Sequence, residues 1–303
     1  GTQFESNHPY LTYIMLIMQI EHWVMAHETY IRLGFFLGIL GAIGLLELLY
    51  PKRVLTGRKS VRWLNNLGLV VLNSLLLRLI FPAAAVGMSV FVVNRGGGLL
   101  SLFDISGWFA IGISILALDL VIYLQHVLFH AVPILWRLHR VHHADPDFDV
   151  TTGARFHPLE ILLSMVIKFS AIMILGPPVL AVVLFEIVLN ATAMFNHGNI
   201  SLPNRLDQLL RWVVVTPDMH RVHHSVEMDE ANSNFGFNLP WWDRLFGTYR
   251  DQPRGGHHQM TIGIHGYRLE KDISWMPGLL WLPFRSKSVE YSINRHKSDT
   301  IDA

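Results

Sequence analysis

Cysteine is absent from the 303-residue chain. That absence excludes disulfides, cysteine-ligated iron–sulfur clusters, thiolate-bound haem and cysteine-based zinc sites. Charge is scarce as well: charged residues make up 16% of the chain, against about 25% in an ordinary soluble domain. The net charge of +1 supplies no basic field for a polyanion, so no nucleic-acid partner is expected. No Lys- or Arg-rich stretch precedes the first apolar run, and no cleavable signal is read. The chain opens on Gly1 rather than Met, so residues 1–14 are taken to be partly foreign to the native protein, with a native start near Met15 or Met18. What the sequence has instead is apolar bulk. Hydrophobic residues make up 51% and the mean hydropathy is +0.34. Disorder needs the opposite balance; this one points to an integral membrane protein.

A membrane crossing needs about 20 apolar residues. The first candidate is Ile31–Tyr50, followed by a loop, Pro51–Trp63, that holds Lys52, Arg53, Arg58, Lys59 and Arg62 and no acid. The second runs from Leu67 to Val93, interrupted by Arg78 and Pro82, and the third from Ile105 to Phe129. Two shorter runs, Leu159–Leu175 and Val179–Phe195, meet at Gly176-Pro177-Pro178 as a hairpin that either crosses fully or dips into one leaflet. Ile14–Glu28 is too polar for a span and reads as an interfacial helix. The expected division is therefore a tail and interfacial helix (1–30), three transmembrane helices (31–125), a histidine-rich region that includes the hairpin 159–195 (126–250), and a C-terminal cytosolic segment (251–303). Basic loops favour the cytoplasm. Placing 51–63 there puts Gly96-Gly97-Gly98 outside and every histidine-dense segment inside. The expected fold is an all-α membrane protein of four to five transmembrane or hairpin helices with a cytosolic helical cap.

Histidine is the second outlier. Of 17 copies, ten lie between residues 126 and 224. They form His126-x3-His130, His139-x2-His142-His143 and His220-x2-His223-His224. The last two share the filler Arg-Val, as Arg140-Val141 and Arg221-Val222. One chance H-x2-H-H is expected in roughly one such chain in twenty, and a second with identical fillers is far rarer. On a helix, positions i, i+3 and i+4 share a face, so each box aims imidazoles in a common direction. Neutral imidazole is the commonest protein metal ligand. Eight box histidines are too many for one ion and enough for two. His197, at the end of the fifth apolar run, makes a ninth ligand, and His157, before the fourth, a candidate tenth. There is no H-E-x-x-H, so a metalloprotease-type zinc site has no support, and a structural zinc site closes with four ligands. Nitrogen-rich dimetal sites at a membrane surface suit iron and O2, although intrinsic affinity favours zinc or copper, so purified protein can carry the wrong metal.

In this order the boxes resemble the integral-membrane fatty acid hydroxylase / sterol desaturase superfamily. The likeness extends to Thr152–Glu160, to Thr216-Pro217-Asp218-Met219, to Asn234-Phe235-Gly236 and to Trp242–Thr248, about residues 105–250 in all. The resemblance implies a helical membrane bundle capped by a cytosolic dimetal site. It implies O2-dependent hydroxylation of a C–H bond in a membrane lipid (fatty acyl, sterol or aminolipid), with His126, His130, His139, His142, His143, His197, His220, His223 and His224 as both ligands and catalytic residues. Desaturation by the same centre is the alternative, and a His-rich metal transporter or a dimetal lipid hydrolase are readings from other classes. Some members carry one more histidine where this chain has Ser201; a water, Asn199 or His157 can fill that place, or it stays open. Acids and amides that would orient the imidazoles are Asp119, Asp218, Glu160 and Asn199, with Glu186, Glu227 and Asp243 behind them. The implied cofactors are two iron ions and O2. Nothing in the chain reads as a haem-binding b5-like domain, so electrons come from an external donor, a ferredoxin or a b5-type protein with its reductase. The compact layout without organelle retention signals points to a bacterial inner membrane.

Overall fold

The computed structural model describes residues 9–285. The expectation about residues 1–14 falls largely outside that range. Among the described residues the protein is all helix, with two isolated β-bridges, Pro51 to Ile200 and Ser225 to Ile262. The helices that position the site are α1 (Pro9–Leu49), α2 (Lys59–Ile80), α3 (Ala84–Val93), α4 (Leu99–Leu102), α5 (Gly107–Ala131), α6 (Pro133–His143), α7 (Pro158–Leu175), α8 (Val179–Asn196), α9 (Asn204–Leu210) and α10 (Pro217–His223). Five segments are long and apolar enough to cross a membrane: His22–Leu49, Lys59–Val93, Gly107–Ala131, Pro158–Leu175 and Val179–Asn196. Their outer faces leave Leu33, Phe35, Leu75, Leu79, Trp108, Phe109 and Ile174 exposed, a surface suited to lipid rather than water.

Prolines and glycines set the breaks. Pro82 disfavours the helical conformation for the residue before it, and Phe81 sits at φ −125°, ψ 66°. The second span is therefore two helices, α2 and α3, not one. The same effect at Val132 (φ −97°, ψ 118°) turns the chain between α5 and α6, and Pro133 opens α6 at its first position, where the missing N–H costs nothing. Gly176 ends α7 in the left-handed region and packs against Gly98, itself at φ 89°; a Cβ on Gly98 would lie 2.4 Å from the Gly176 Cα. That contact ties the α7–α8 turn to the loop after α3, so the hairpin reaches the end of the bundle where the second span ends. At ~1.5 Å per residue, eighteen residues in each arm give about 27 Å, close to the ~30 Å hydrocarbon core.

One sequence expectation is revised. Ile14–Glu28 is continuous with the first span, because no residue between Pro9 and Leu49 breaks the helix. The basic residues of the 51–63 loop are engaged by partners in the fold. Lys52 pairs with Asp218 at 2.7 Å, Arg58 with Glu270 at 2.8 Å, and Arg53 donates to the Met260 carbonyl at 2.8 Å. Arg62 is wholly buried between Asp145 and Asp149, each at 2.6 Å. These cations bolt the bundle to the segment after the second histidine box and to the C-terminal part of the chain. An apolar core made of Leu69 of α2, Trp136 and Val141 of α6 and Ile264, Ile273 and Leu279 seals the same junction.

Candidate dimetal centre

The α5–α6 corner brings the first two boxes face to face. His126 and His130 lie on the last turns of α5, and α6 folds back so that His126 Nε2 is 3.0 Å from His139 Nε2 and His130 Nε2 is 3.1 Å from His143 Nε2. The third box sits on α10, which Thr216 caps by accepting from the Met219 N–H at 3.3 Å and Pro217 opens. His197 follows the last turn of α8, its Nε2 3.1 Å from that of His142 and 3.2 Å from that of His224. The nine histidines fall into two groups whose potential ligand atoms lie within 4.8 Å of one another: His126, His130, His139, His143 and His223 in one, His142, His197, His220 and His224 in the other. Boxes two and three are thus each divided between the groups. The rings of His143 and His224 stack at 4.5 Å across the divide.

The outer nitrogens fix the rings. His126 Nδ1 lies 2.7 Å from the Phe235 carbonyl, His130 Nδ1 3.2 Å from Asn232 Oδ1, His139 Nδ1 2.6 Å from Glu160 Oε1, His197 Nδ1 2.7 Å from the Ala193 carbonyl and His223 Nδ1 2.7 Å from the Ser233 carbonyl. Each partner accepts, so Nδ1 carries the proton and the Nε2 lone pair faces inward, the tautomer a metal ligand needs. All nine side chains are buried. Burial pushes the imidazoles of His139 and His197 down to about 3, with no help from a neighbour at His139. Burial, then mutual repulsion, holds His142, His143, His220, His223 and His224 well below the ordinary histidine value. A packed array of neutral imidazoles with inward lone pairs is costly unless something accepts them. Both ring nitrogens of His220 and the Nε2 of His223 have no hydrogen-bond partner. These orphans fit metal ions.

Of the other candidates, Glu160 alone meets a box histidine. Asp119 accepts from the Trp242 indole at 2.8 Å, tying α5 to the cap instead of orienting an imidazole. Asp218 pairs with Lys52 and Arg221; burial would raise its pKa, but Arg221, His257 and Lys52 hold it down to about 2. Asn199 accepts from the Arg53 N–H at 3.0 Å and donates to the Arg53 carbonyl at 2.8 Å. His157 caps α7, its Nδ1 accepting from the Leu159 N–H at 3.2 Å and its Nε2 3.3 Å from the Leu280 carbonyl. Neither Asn199 nor His157 fills the place at Ser201. Glu186 pairs with Arg32 and Lys168. Asp243 acts at one remove, accepting from the Phe235 and Gly236 N–H groups at 2.8 and 2.9 Å and so setting the Phe235 carbonyl against His126. Asn232 and the backbone acceptors at Ala193, Ser233 and Phe235 were not foreseen. A backbone carbonyl leaves no mark in a sequence, and Asn232 lies 102 positions from its partner His130.

A cavity of about 290 Å³ opens beside His126, His139 and Glu160 and extends between α1, α2, α7 and α8. A second, of about 540 Å³, continues from it towards the lipid-facing side of α1, α2 and α8.

Residues 111–248 match the fatty acid hydroxylase family model. The matched segment holds all nine histidines. Curated relatives include an ornithine lipid hydroxylase of Rhizobium tropici, 32% identical over 146 residues, which are 48% of this chain and 42% of that protein. An alkylglycerol monooxygenase of Xenopus tropicalis is 32% identical over 137 residues, 45% of this chain and 30% of the relative. The human alkylglycerol monooxygenase is 27% identical over 157 residues, 50% and 33%. The matches thus span less than half the length of these relatives. No solved structure matches the chain.

Proposed function

We propose that this protein is a membrane-bound, O2-dependent lipid hydroxylase whose nine box histidines hold two metal ions, iron in the working enzyme. The observation that carries the reading is the pair of buried imidazole groups, five and four, beside a cavity that leads to the lipid-facing side. The relatives' names and the fatty acid hydroxylase match agree with it. The histidines gather at one end of the bundle rather than halfway along the spans, which favours an enzyme over a transporter. We assign that end to the cytoplasm, where a separate electron-transfer protein can reach it.

The balanced reaction is R–H + O2 + 2 electrons + 2 protons giving R–OH + H2O, with the electrons from an external one-electron donor protein. A bound iron pair supplies the O2 activation and electron storage that amino-acid side chains lack. The chain's own part is placement. His126, His130, His139, His143 and His223 present one set of Nε2 lone pairs, and His142, His197, His220 and His224 the other. Glu160 holds the His139 ring through Nδ1, and Asp243 holds the loop that carries the His126 acceptor. Phe156, stacked 4.6 Å from His142, and Phe148, stacked 5.3 Å from His197, keep water from the nitrogens. Ile122, Met165 and Phe237 give the cavity next to His126 an apolar wall for the C–H bond.

The test is metal content and product mass. Protein from iron-supplemented cells should carry about two metals per chain, and His142→Ala should lose about one, since His142 serves only the four-histidine group. Lipid extracts from expressing cells grown in air should contain a species heavier by one oxygen, absent with His142→Ala. One metal or none in the wild type overturns the reading; a loss of two hydrogens in place of an oxygen gain assigns desaturation.

A further inference from the structure

The two cavities share six lining residues: Arg32, Phe36, Val70, Ser74, Glu186 and Asn190. The outer one is otherwise apolar, lined by residues such as Leu33, Leu37, Leu75 and Met194. The inner one ends at His126 and His139. Their junction is charged. Glu186 of α8, 4% exposed, takes Lys168 of α7 at 2.6 Å on one oxygen and Arg32 of α1 at 2.9 Å on the other. Glu28 also pairs with Arg32 at 2.8 Å but lines neither cavity. Arg32 and Glu186 line both cavities and Lys168 the inner one; all three lie well inside spans, where ionised groups are costly and mark function. A channel for plain hydrocarbon has no use for them. Glu28 and Glu186 balance the two cations in charge, but Arg32 meets both carboxylates through Nη1 alone and Lys168 meets only Glu186, so both cations keep N–H donors to spare.

We propose that Arg32, Lys168 and Glu186 form a subsite for the oxyanion, carboxylate or phosphate, of the lipid substrate. The proposal rests on the hydroxylase reading and names its substrate class: an anionic or zwitterionic amphiphile. The oxyanion exchanges into the Arg32 and Lys168 donors as the lipid enters, the hydrocarbon lies in the apolar outer groove, and the part of the molecule beyond the oxyanion points at the histidines. Glu160, which holds the His139 ring, and Lys168 are eight residues apart on α7, a rise of about 12 Å along the helix.

The test is lipid binding to the purified full-length protein in neutral detergent, read by electron paramagnetic resonance as the immobilised fraction of a spin-labelled chain. The probes are spin-labelled stearic acid, its methyl ester, and phosphatidic acid bearing the same labelled chain. Both oxyanion probes should bind the wild type about tenfold or more tightly than the ester, the worth of a charge-assisted hydrogen bond. Lys168→Gln, and the charge-balanced pair Arg32→Gln/Glu186→Gln, should bring the ratio near one with metal content unchanged, and Lys168→Arg should restore it. A wild-type ratio near one overturns the proposal even if the variants do not fold. So do variants that lose thermal stability but keep the ratio, which would make the junction a structural brace. Inorganic phosphate that displaces both probes assigns the site to free phosphate and overturns a lipid subsite. Binding is read without turnover. A protein that prefers the oxyanion probes yet inserts no oxygen therefore refutes the hydroxylase reading and not the subsite, and the reverse refutes the subsite alone.

Discussion

His139 shows how much a single position is asked to do. Its Nε2 faces His126 at 3.0 Å, its Nδ1 meets Glu160 at 2.6 Å, and its ring borders the cavity. Glu160 is therefore a positioning residue: it acts through the imidazole it holds. Glu160→Ala should lower metal affinity about 10–100-fold, the usual effect of removing such a partner, measured by chelator competition. Glu160→Gln keeps an acceptor oxygen and should lose less. Equal losses in the two variants would mean that the charge, and not the hydrogen bond, matters. Local folding sets this up at the N-terminal end of α7, where His157 caps the helix and Pro158 opens it. Together they set Glu160 in the first turn, pointing at α6. The sequence offered His157 as a candidate tenth ligand because it stands at the start of the fourth apolar run. In the structure its two nitrogens are already engaged by backbone, and that is the commoner use of a residue one position before a helix.

Among the elements, the boxes were legible because i, i+3, i+4 spacing is local and α5, α6 and α10 are helices wherever they lie. What spacing does not encode is the crossing of helices. The division of box two between His139/His143 and His142, and of box three between His223 and His220/His224, follows from α10 lying against the end of α8, a long-range fact. Asp119 misled for a related reason. Two helical turns before His126 is the right face, but Trp242, 123 positions later, reaches it first. Gly153 shows the element-scale coupling. It faces α8 so closely that a Cβ there would lie 2.3 Å from the Ala193 oxygen, the same carbonyl that accepts from His197 Nδ1 at 2.7 Å. Gly153→Ala should destabilise the protein by about 1–3 kcal/mol as an overpacking change, and it should weaken the four-histidine group more than the five. Thermal unfolding and metal stoichiometry measure the two effects. Gly112→Ala in the interior of α5, where nothing lies within 4 Å, is the control and should not destabilise, since helix propensity favours Ala there by about 0.5–1 kcal/mol. If both alanines behave alike, the Gly153 contact does not position His197.

At the scale of the whole molecule, the protein keeps a large array of bases dry at one end of a lipid-facing bundle, and the cost of that arrangement depends on pH. The unfolded chain's histidines titrate near 6.5, whereas His139 and His197 stay neutral in the fold down to about 3 because burial disfavours the charged ring. Below about pH 6.5 the unfolded state binds protons that the folded state refuses, so stability falls with pH; above about 6.5 neither state binds them and the term vanishes. Asp218, held near 2, adds in the same direction at lower pH: its contribution is present above about 3.9, the ordinary Asp value, and is lost as pH falls towards 2. Metal-free protein should therefore have a melting temperature that is nearly level from about pH 9 to 7 and drops steadily from about 6.5 to 4. The same physics fixes a second readout. Ligands that titrate freely release protons when a metal binds. Imidazoles already neutral in the fold release almost none, even at about pH 6, where a freely titrating histidine is mostly charged. Calorimetric titration of folded, metal-free protein with Fe(II) or Zn(II), in buffers of different ionisation enthalpy, counts the protons. Fewer than about one proton per metal at pH 6 follows from a preformed neutral array. Several protons per metal would show that the histidines face water before the metal arrives, and that the metal, rather than the packing of α5, α6, α8 and α10, draws them together.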